Sequence, residues 1–166
     1  MQDTNNKICI AGAGLVGTLL SVFLAKRGFY VDIYEKREDM RKANIKGGRT
    51  IAMSLSRRGW TALEKAGLKN KIFPQTMPKT ARMVHHRDGK IQVQEYGRDG
   101  QAIYTVNRKM LNSELLDLAE STGKVNVYFR KKIKDIRLEE GEITFENLTD
   151  HSISSRKYDK IIGADG

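Results

Sequence analysis

Apolar positions along the chain fall into short runs with two distinct periods. Lys7-Ile-Cys-Ile-Ala11 reads as a short apolar run of the kind that forms a buried strand of a parallel sheet. From Leu15 to Lys26 apolar and small residues recur at helical spacing, and Arg27-Gly28 supplies a stop. Tyr30-Val-Asp-Ile-Tyr34 reads as a second strand, so strand, helix and strand follow in one crossover unit. The polar stretch from Lys36 to Arg49 has no clear period and reads as a loop or a frayed helix. Ser54 to Ala66 predicts a helix capped by Ser54 or Ser56, with Leu55, Trp60 and Leu63 on its apolar stripe and Gly67 as its stop. Pro74 and Pro78 punctuate a connection.

The middle of the chain changes to period two. Ala81–His85 and Ile91–Tyr96 flank Asp88-Gly89, a strong hairpin signal, and 103–106 adds a further extended piece. Asn107 caps a predicted helix running to about Glu120 and ending near Gly123. Alternation returns in 125–129, 133–138 and 142–145, and Lys157–Ile162 is a last apolar strand. That strand leads into Gly163-Ala-Asp-Gly166, a turn that normally feeds another element. The chain therefore reads as the front part of something larger.

Composition narrows the class. The chain has 166 residues with 39% hydrophobic and 30% charged, which suits a folded water-soluble domain. No apolar run approaches the ~20 residues of a membrane span and the N-terminus lacks a signal-peptide pattern, so a cytoplasmic setting is expected. Cys9 is the single cysteine and lies in a strand pattern, which excludes a disulfide framework and a cysteine-rich zinc site. His85-His86 is a weak metal signal, because adjacent strand residues point to opposite faces. The net charge of +10 would steer anions toward the protein. Its lysines and arginines are scattered, and no zinc-finger, aromatic-strand or helix-turn-helix motif accompanies them, so no nucleic-acid partner is expected.

Gly12-Ala-Gly-Leu-Val-Gly17 is a GxGxxG fingerprint in the right context, after a strand and at the opening of a helix. Gly12 allows the tight turn, Gly14 lets backbone approach a pyrophosphate, and Gly17 allows close packing of helix on sheet. The helix N-terminus at Leu15 and Val16 offers free N–H groups to the anion. Glu35 ends the second strand about 20 residues on, where a carboxylate accepts ribose hydroxyls. It would repel a 2′-phosphate, which argues against NADP at the fingerprint. An NAD domain would follow with a second βαβ half; the long basic connection, hairpin and separate helix here favour FAD.

Several blocks together resemble one family. The fingerprint, Leu24–Arg27 with Val31–Glu35, 48–51 with Leu55–Gly59, Ala81–His85, Tyr96-Gly97, Arg108–Asn112 and Ile162–Gly166 are similar to the FAD-dependent aromatic-ring hydroxylases, and within them to the branch acting on L-kynurenine. The resemblance spans essentially the whole chain. It implies an α/β, FAD/NAD(P)-binding Rossmann-like three-layer domain, seen here in its N-terminal part, with a β-rich substrate-binding insertion beginning over about 74–106. It implies an enzyme that hydroxylates L-kynurenine to 3-hydroxykynurenine with FAD as cofactor and NADPH and O₂ as co-substrates, in tryptophan degradation. Membrane association, where family members show it, lies in C-terminal sequence outside this chain.

The resemblance also assigns residues. Glu35 would hold adenosine ribose, with Arg37 beside it; Arg108 and the backbone of Ile133 would approach the cofactor, and Asp165 would shape its pyrophosphate and flavin surroundings. Arg82 and Tyr96 would hold the substrate carboxylate, as a bidentate guanidinium and a phenolic donor can. Read alone, Arg82 on a hairpin is an ordinary surface residue, Tyr96 a partly packed one, and Arg108 a solvated first-turn residue. Helix N-termini favour anions, however, so an arginine at position 108 fits a reach toward phosphate or flavin better than helix stabilisation. No side chain is expected to act as nucleophile, because the flavin carries the oxygen chemistry. Two readings remain open beside this one: a flavin hydroxylase for another anionic aromatic compound, and a cofactor-binding module without turnover.

Overall fold

The computed structural model describes residues 7–42, 52–98 and 101–166. Two compact units emerge, one of Met1–Gly48 with Asn112–Gly166 and the other of Arg49–Leu111. The first is built on the predicted crossover. β1 (Lys7–Ala11), α1 (Leu15–Lys26) and β2 (Tyr30–Tyr34) have the bounds their apolar runs predict. β1 and β2 pair in parallel with Lys7 opposite Tyr30 and Ala11 opposite Tyr34.

Alternation along these strands dictates what each sheet face meets. Ile8, Ile10, Val31 and Ile33 are buried on the face that carries α1, where Gly17 lies against the Ile10 side chain. Lys7, Cys9, Asp32 and Tyr34 look the other way. The sheet is completed by β8 (Val125–Tyr128) and β12 (Lys160–Gly163), in the order β12-β1-β2-β8. β9 (Lys131–Arg137), β10 (Glu142–Asn147) and β11 (Ile153–Lys157) form an antiparallel meander in the order β11-β10-β9. Ile143 and Phe145 of the meander pack with Cys9, Tyr34 and Tyr158 in one buried cluster. Helix, parallel sheet and antiparallel sheet are thus three layers, in agreement with the sequence reading.

A buried carboxylate lies between the two sheets. Asp32, in the middle of β2, is fully buried and accepts hydrogen bonds from the Tyr158 hydroxyl at 2.8 Å and the Asn126 amide at 3.0 Å. Lys7 reaches it at 3.0 Å and Arg156 at 3.6 Å, so the charge is paired as well as hydrogen-bonded. The Tyr34 and Tyr158 hydroxyls meet at 2.6 Å. Burial raises the Tyr158 phenol far above its usual range and pushes Tyr34 up to about 12, while the Cys9 thiol, also buried, rises to about 12. Cys9 is therefore a core residue, with its thiolate disfavoured.

The second unit contains β3 (Ala52–Leu55), β4 (Met77–Lys79) and β7 (Ile103–Asn107) in the order β3-β7-β4. Between them run α2 (Arg57–Ala66), α3 (Lys69–Ile72) and a 3₁₀ turn over Phe73–Gln75. Trp60, Phe73 and Tyr104 pack their rings together, with centroids 5.1 to 6.0 Å apart. β5 (Ala81–His85) and β6 (Ile91–Glu95) form the predicted hairpin. The stretch 74–106 lies inside this unit. α4 (Arg108–Ser121) follows Asn107, whose side chain accepts the Met110 N–H at 3.1 Å as a cap.

Several element boundaries differ from the sequence reading. The helix expected over Ser54–Ala66 starts at Arg57, because Ser54 and Leu55 pair with Thr105 and Tyr104 in a sheet; Ser56 is the cap, its hydroxyl accepting the Gly59 N–H. The expected strand Lys157–Ile162 is divided: Lys157 closes β11 on Glu142, while Asp159 turns the chain by accepting the Lys7 N–H at 3.0 Å. Pro78 lies within β4 at the edge of its sheet, where a missing N–H costs no ladder bond. Of the expected loop from Lys36 to Arg49, residues 36–42 form turns, and the rest, with the block at 48–51, lies outside the described residues. No helix among the described residues is long and apolar enough to cross a membrane.

Candidate functional site

Geometry at the fingerprint is that of an anion cradle. Gly12 has φ +105, open to glycine but strained for other residues, and its N–H donates to the Tyr34 carbonyl at 2.8 Å. A side chain there would also strike the backbone of Ala164 and Asp165, which lies against the turn. The final glycine-rich segment is held in that place by the Ala164 N–H on the Ala11 carbonyl, 2.7 Å. Gly17 is as constrained, since an added Cβ would fall 2.1 Å from the Gly12 carbonyl oxygen.

Gly14 differs from both. A Cβ on Gly14 would meet nothing within 4 Å, so its backbone faces open space at the N-terminus of α1. Gly14 is the N-cap, with no side-chain cap and no acidic residue in the first turn, and Val16 in that turn is 71% exposed. An uncapped helix N-terminus with open backbone before it suits a pyrophosphate.

Glu35 joins this turn to the end of β2. One carboxylate oxygen accepts the Ala13 N–H at 3.0 Å and the other accepts the Arg37 N–H at 2.9 Å. Each oxygen keeps further acceptor capacity, which is what two ribose hydroxyls need. The Arg37 carbonyl accepts the Arg130 N–H at 3.1 Å, and the Arg37 side chain is exposed. A cleft of about 360 Å³ lined by Glu38, Asp39, Lys42, Phe129, Arg130 and Thr149 lies along the same segment. Arg130 and Glu38 pair within it, so its charge is largely balanced.

Behind the site, Arg41 is an ion-pair hub. It contacts Asp39 at 2.8 Å and, on α4, Asp117 at 2.8 Å and Glu120 at 2.5 Å. These bonds tie the segment leaving β2 to α4, and the Arg41 guanidinium beside Asp39 holds that carboxyl below its usual range. Asn112 on α4 donates from its amide to the Ala13 carbonyl at 3.0 Å. The sequence reading gave no role to Arg41 or Asn112. The available signal was Asn112 itself, a polar residue beside the buried Leu111, Leu115 and Leu116 of α4.

The other expected residues divide by unit. Asp165 is exposed beside Gly12, and Ile133 pairs with Phe145 in the meander with its side chain against the core, leaving backbone as its contribution. Arg82, Tyr96 and Arg108 belong to the second unit and are exposed. Arg82 opposes Gln94 and Tyr96 opposes Thr80 in the hairpin, which puts Arg82, Gln94 and Tyr96 on one face. Arg82 donates from Nε and Nη2 to Oε1 of the Gln94 side chain at 2.8 and 2.6 Å, leaving its outer edge for a carboxylate.

A family profile described as FAD binding domain matches residues 5–166. The chain belongs to that family. Kynurenine 3-monooxygenase of Flavobacterium johnsoniae is 38% identical over 165 residues, and that of Sus scrofa 41% over 159 residues. These matches cover 99% and 96% of this chain but 36% and 34% of the relatives, so the chain spans about a third of their length. Among solved structures, p-nitrophenol 4-monooxygenase PnpA of Pseudomonas putida aligns with a TM-score of 0.76 at 17% identity, covering 99% of this chain and 42% of that one. The flavin-dependent monooxygenase PieE, solved with FAD and substrate, aligns at 0.82 with 13% identity, covering 99% and 31%. At those identities the likeness shows the fold. FAD is the cofactor of the family, and the open cradle at Gly14 beside a ribose-competent carboxylate fits it.

Proposed function

We propose that this chain is the cofactor-binding front of an enzyme that hydroxylates L-kynurenine to 3-hydroxykynurenine. The observation that carries the reading is near-complete coverage of the chain by kynurenine 3-monooxygenases at 38–41% identity. The reaction consumes NADPH, a proton and O₂ and yields NADP⁺, water and the hydroxylated ring. Bound FAD supplies the redox and oxygen chemistry. The protein's part is to bind, orient and shield. Gly12, Gly14, Leu15, Val16 and Gly17 receive the pyrophosphate on backbone N–H groups and the α1 terminus. Glu35 accepts the ribose hydroxyls with Arg37 alongside, and Arg108, Ile133 and Asp165 complete the cofactor surroundings.

Arg82 and Tyr96 hold the substrate carboxylate. Their support is a shared hairpin face and a guanidinium whose inner edge is already held by Gln94. The ring is thereby presented by its amino-acid end, with no side chain required as nucleophile. A small aromatic amino acid is the substrate class.

The test is NADPH oxidation by the intact enzyme, loaded with FAD, with product analysis. Kynurenine should stimulate oxidation and give 3-hydroxykynurenine in step with it. Equal stimulation by unrelated anionic aromatics, without that product, sinks the reading in favour of another flavin hydroxylase.

A further inference from the structure

The turn that faces the pyrophosphate is held from behind by one amide. Asn112 is 3% exposed, and its Nδ2 donates to the Ala13 carbonyl at 3.0 Å and approaches the Met40 sulfur at 3.4 Å. Both amide hydrogens are thus directed. Rotating the amide by half a turn would set its oxygen against the Ala13 oxygen, two acceptors in contact, so the orientation is determined.

The Ala13 carbonyl and the Gly14 N–H belong to one planar trans peptide, in which the two bonds point in opposite directions. Fixing the carbonyl on the α4 side aims the Gly14 N–H away from it. Glu35 holds the preceding peptide by the Ala13 N–H at 3.0 Å. Successive peptides of the turn are therefore held by side chains of two elements, β2 and α4.

Asn112 does this at a cost to the fold. Its Oδ1 is buried and has no hydrogen-bond partner among the described residues. An unpaired buried carbonyl is unfavourable, and a leucine of similar size would suit the neighbouring Leu111, Leu115 and Leu116 without it. A residue present only to stabilise the helix would not need the amide.

We infer that Asn112 is a positioning residue of the FAD site, which directs the Gly14 N–H at the pyrophosphate through the Ala13 carbonyl. The inference adds to the family's FAD binding a residue outside the fingerprint, and it stands whichever substrate the enzyme takes. The test strips FAD from the intact protein and titrates it back, comparing wild type with Asn112→Leu. FAD affinity should fall about ten-fold, and the melting midpoint of the flavin-free protein should stay level, since removal of the unpaired Oδ1 offsets the hydrogen bond lost at the Ala13 carbonyl. FAD affinity within two-fold of wild type overturns the inference. So does a fall in affinity matched by a fall in the flavin-free midpoint, the pattern of a purely structural residue. Asn112→Ser, shorter but still polar, repeats the comparison if the leucine variant does not fold: it should lose FAD affinity by a similar factor, and retention overturns the inference.

Discussion

Replacing Glu35 by glutamine keeps the side chain's size and removes its charge. In the wild type each carboxylate oxygen takes a backbone N–H, Ala13 at 3.0 Å and Arg37 at 2.9 Å. Glutamine offers one oxygen and one NH₂, so one of these N–H groups faces another donor. Hydrogen bonds to a charged acceptor contribute ~1.5–3 kcal/mol and neutral ones ~0.5–1.5, so two ribose contacts lose about 2 kcal/mol between them. Disturbing the turn adds about 1 kcal/mol. The total of about 3 kcal/mol corresponds to roughly a hundred-fold weaker binding. The assay is quenching of flavin fluorescence on titrating flavin-free intact protein with FAD, and in parallel with FMN, which lacks the adenosine. FAD affinity within three-fold of wild type, or an equal loss for FMN, would refute the ribose assignment.

Three other outcomes follow from the packing. Gly17→Ala should abolish FAD binding and destabilise the fold by about 3 kcal/mol or more, lowering the denaturant midpoint, because the new Cβ falls 2.1 Å from the Gly12 carbonyl with only backbone to yield; urea unfolding and flavin content check it. Tyr158→Phe removes the 2.8 Å bond to buried Asp32 and the partner of the Tyr34 hydroxyl, and should cost about 2–3 kcal/mol in the same assay. Asp39 titrates below its ordinary 3.8 in the folded protein, so its pairing with Arg41 stabilises above that pH and is lost as pH falls through the lowered value. Arg41→Met should accordingly be less stable than wild type near neutral pH, with the gap closing below pH 3.8, followed by urea unfolding across that range.

The readable and unreadable parts of the sequence differ in how local their determinants are. β1, α1 and β2 were legible because short apolar runs mark the two strands, residues from Leu15 to Lys26 repeat at helical spacing, and the glycine turn sits between β1 and α1. β11 was not. Its Ile-Ser-Ser-Arg-Lys is largely polar and exposed at every position, and is a strand only because Glu142–Glu146 of β10 pairs with it. Ser54 and Leu55 were drawn into a helix by their neighbours' helical spacing, whereas pairing with Tyr104 and Thr105, some fifty residues away, decides their state. At the site the fingerprint and Glu35 announce themselves by spacing. Asn112 and Arg41 act across 99 and 76–79 residues of sequence, and their roles exist only once α4 is in place.

The sheet order β12-β1-β2-β8 carries a consequence for how the protein is made. Synthesis reaches β1 about 150 residues before Lys160–Gly163, the segment that pairs with one of its edges and brings Ala164 against Gly12. Pairing so distant in sequence is slow to form and leaves a strand edge open meanwhile. The proposed flavin cradle of a nascent chain is therefore finished only about 150 residues of synthesis after Gly12, Gly14 and Gly17 have been made. Cofactor loading is expected as a late event in biogenesis, and chaperone protection of the unpaired β1 edge should matter most in the interval before it.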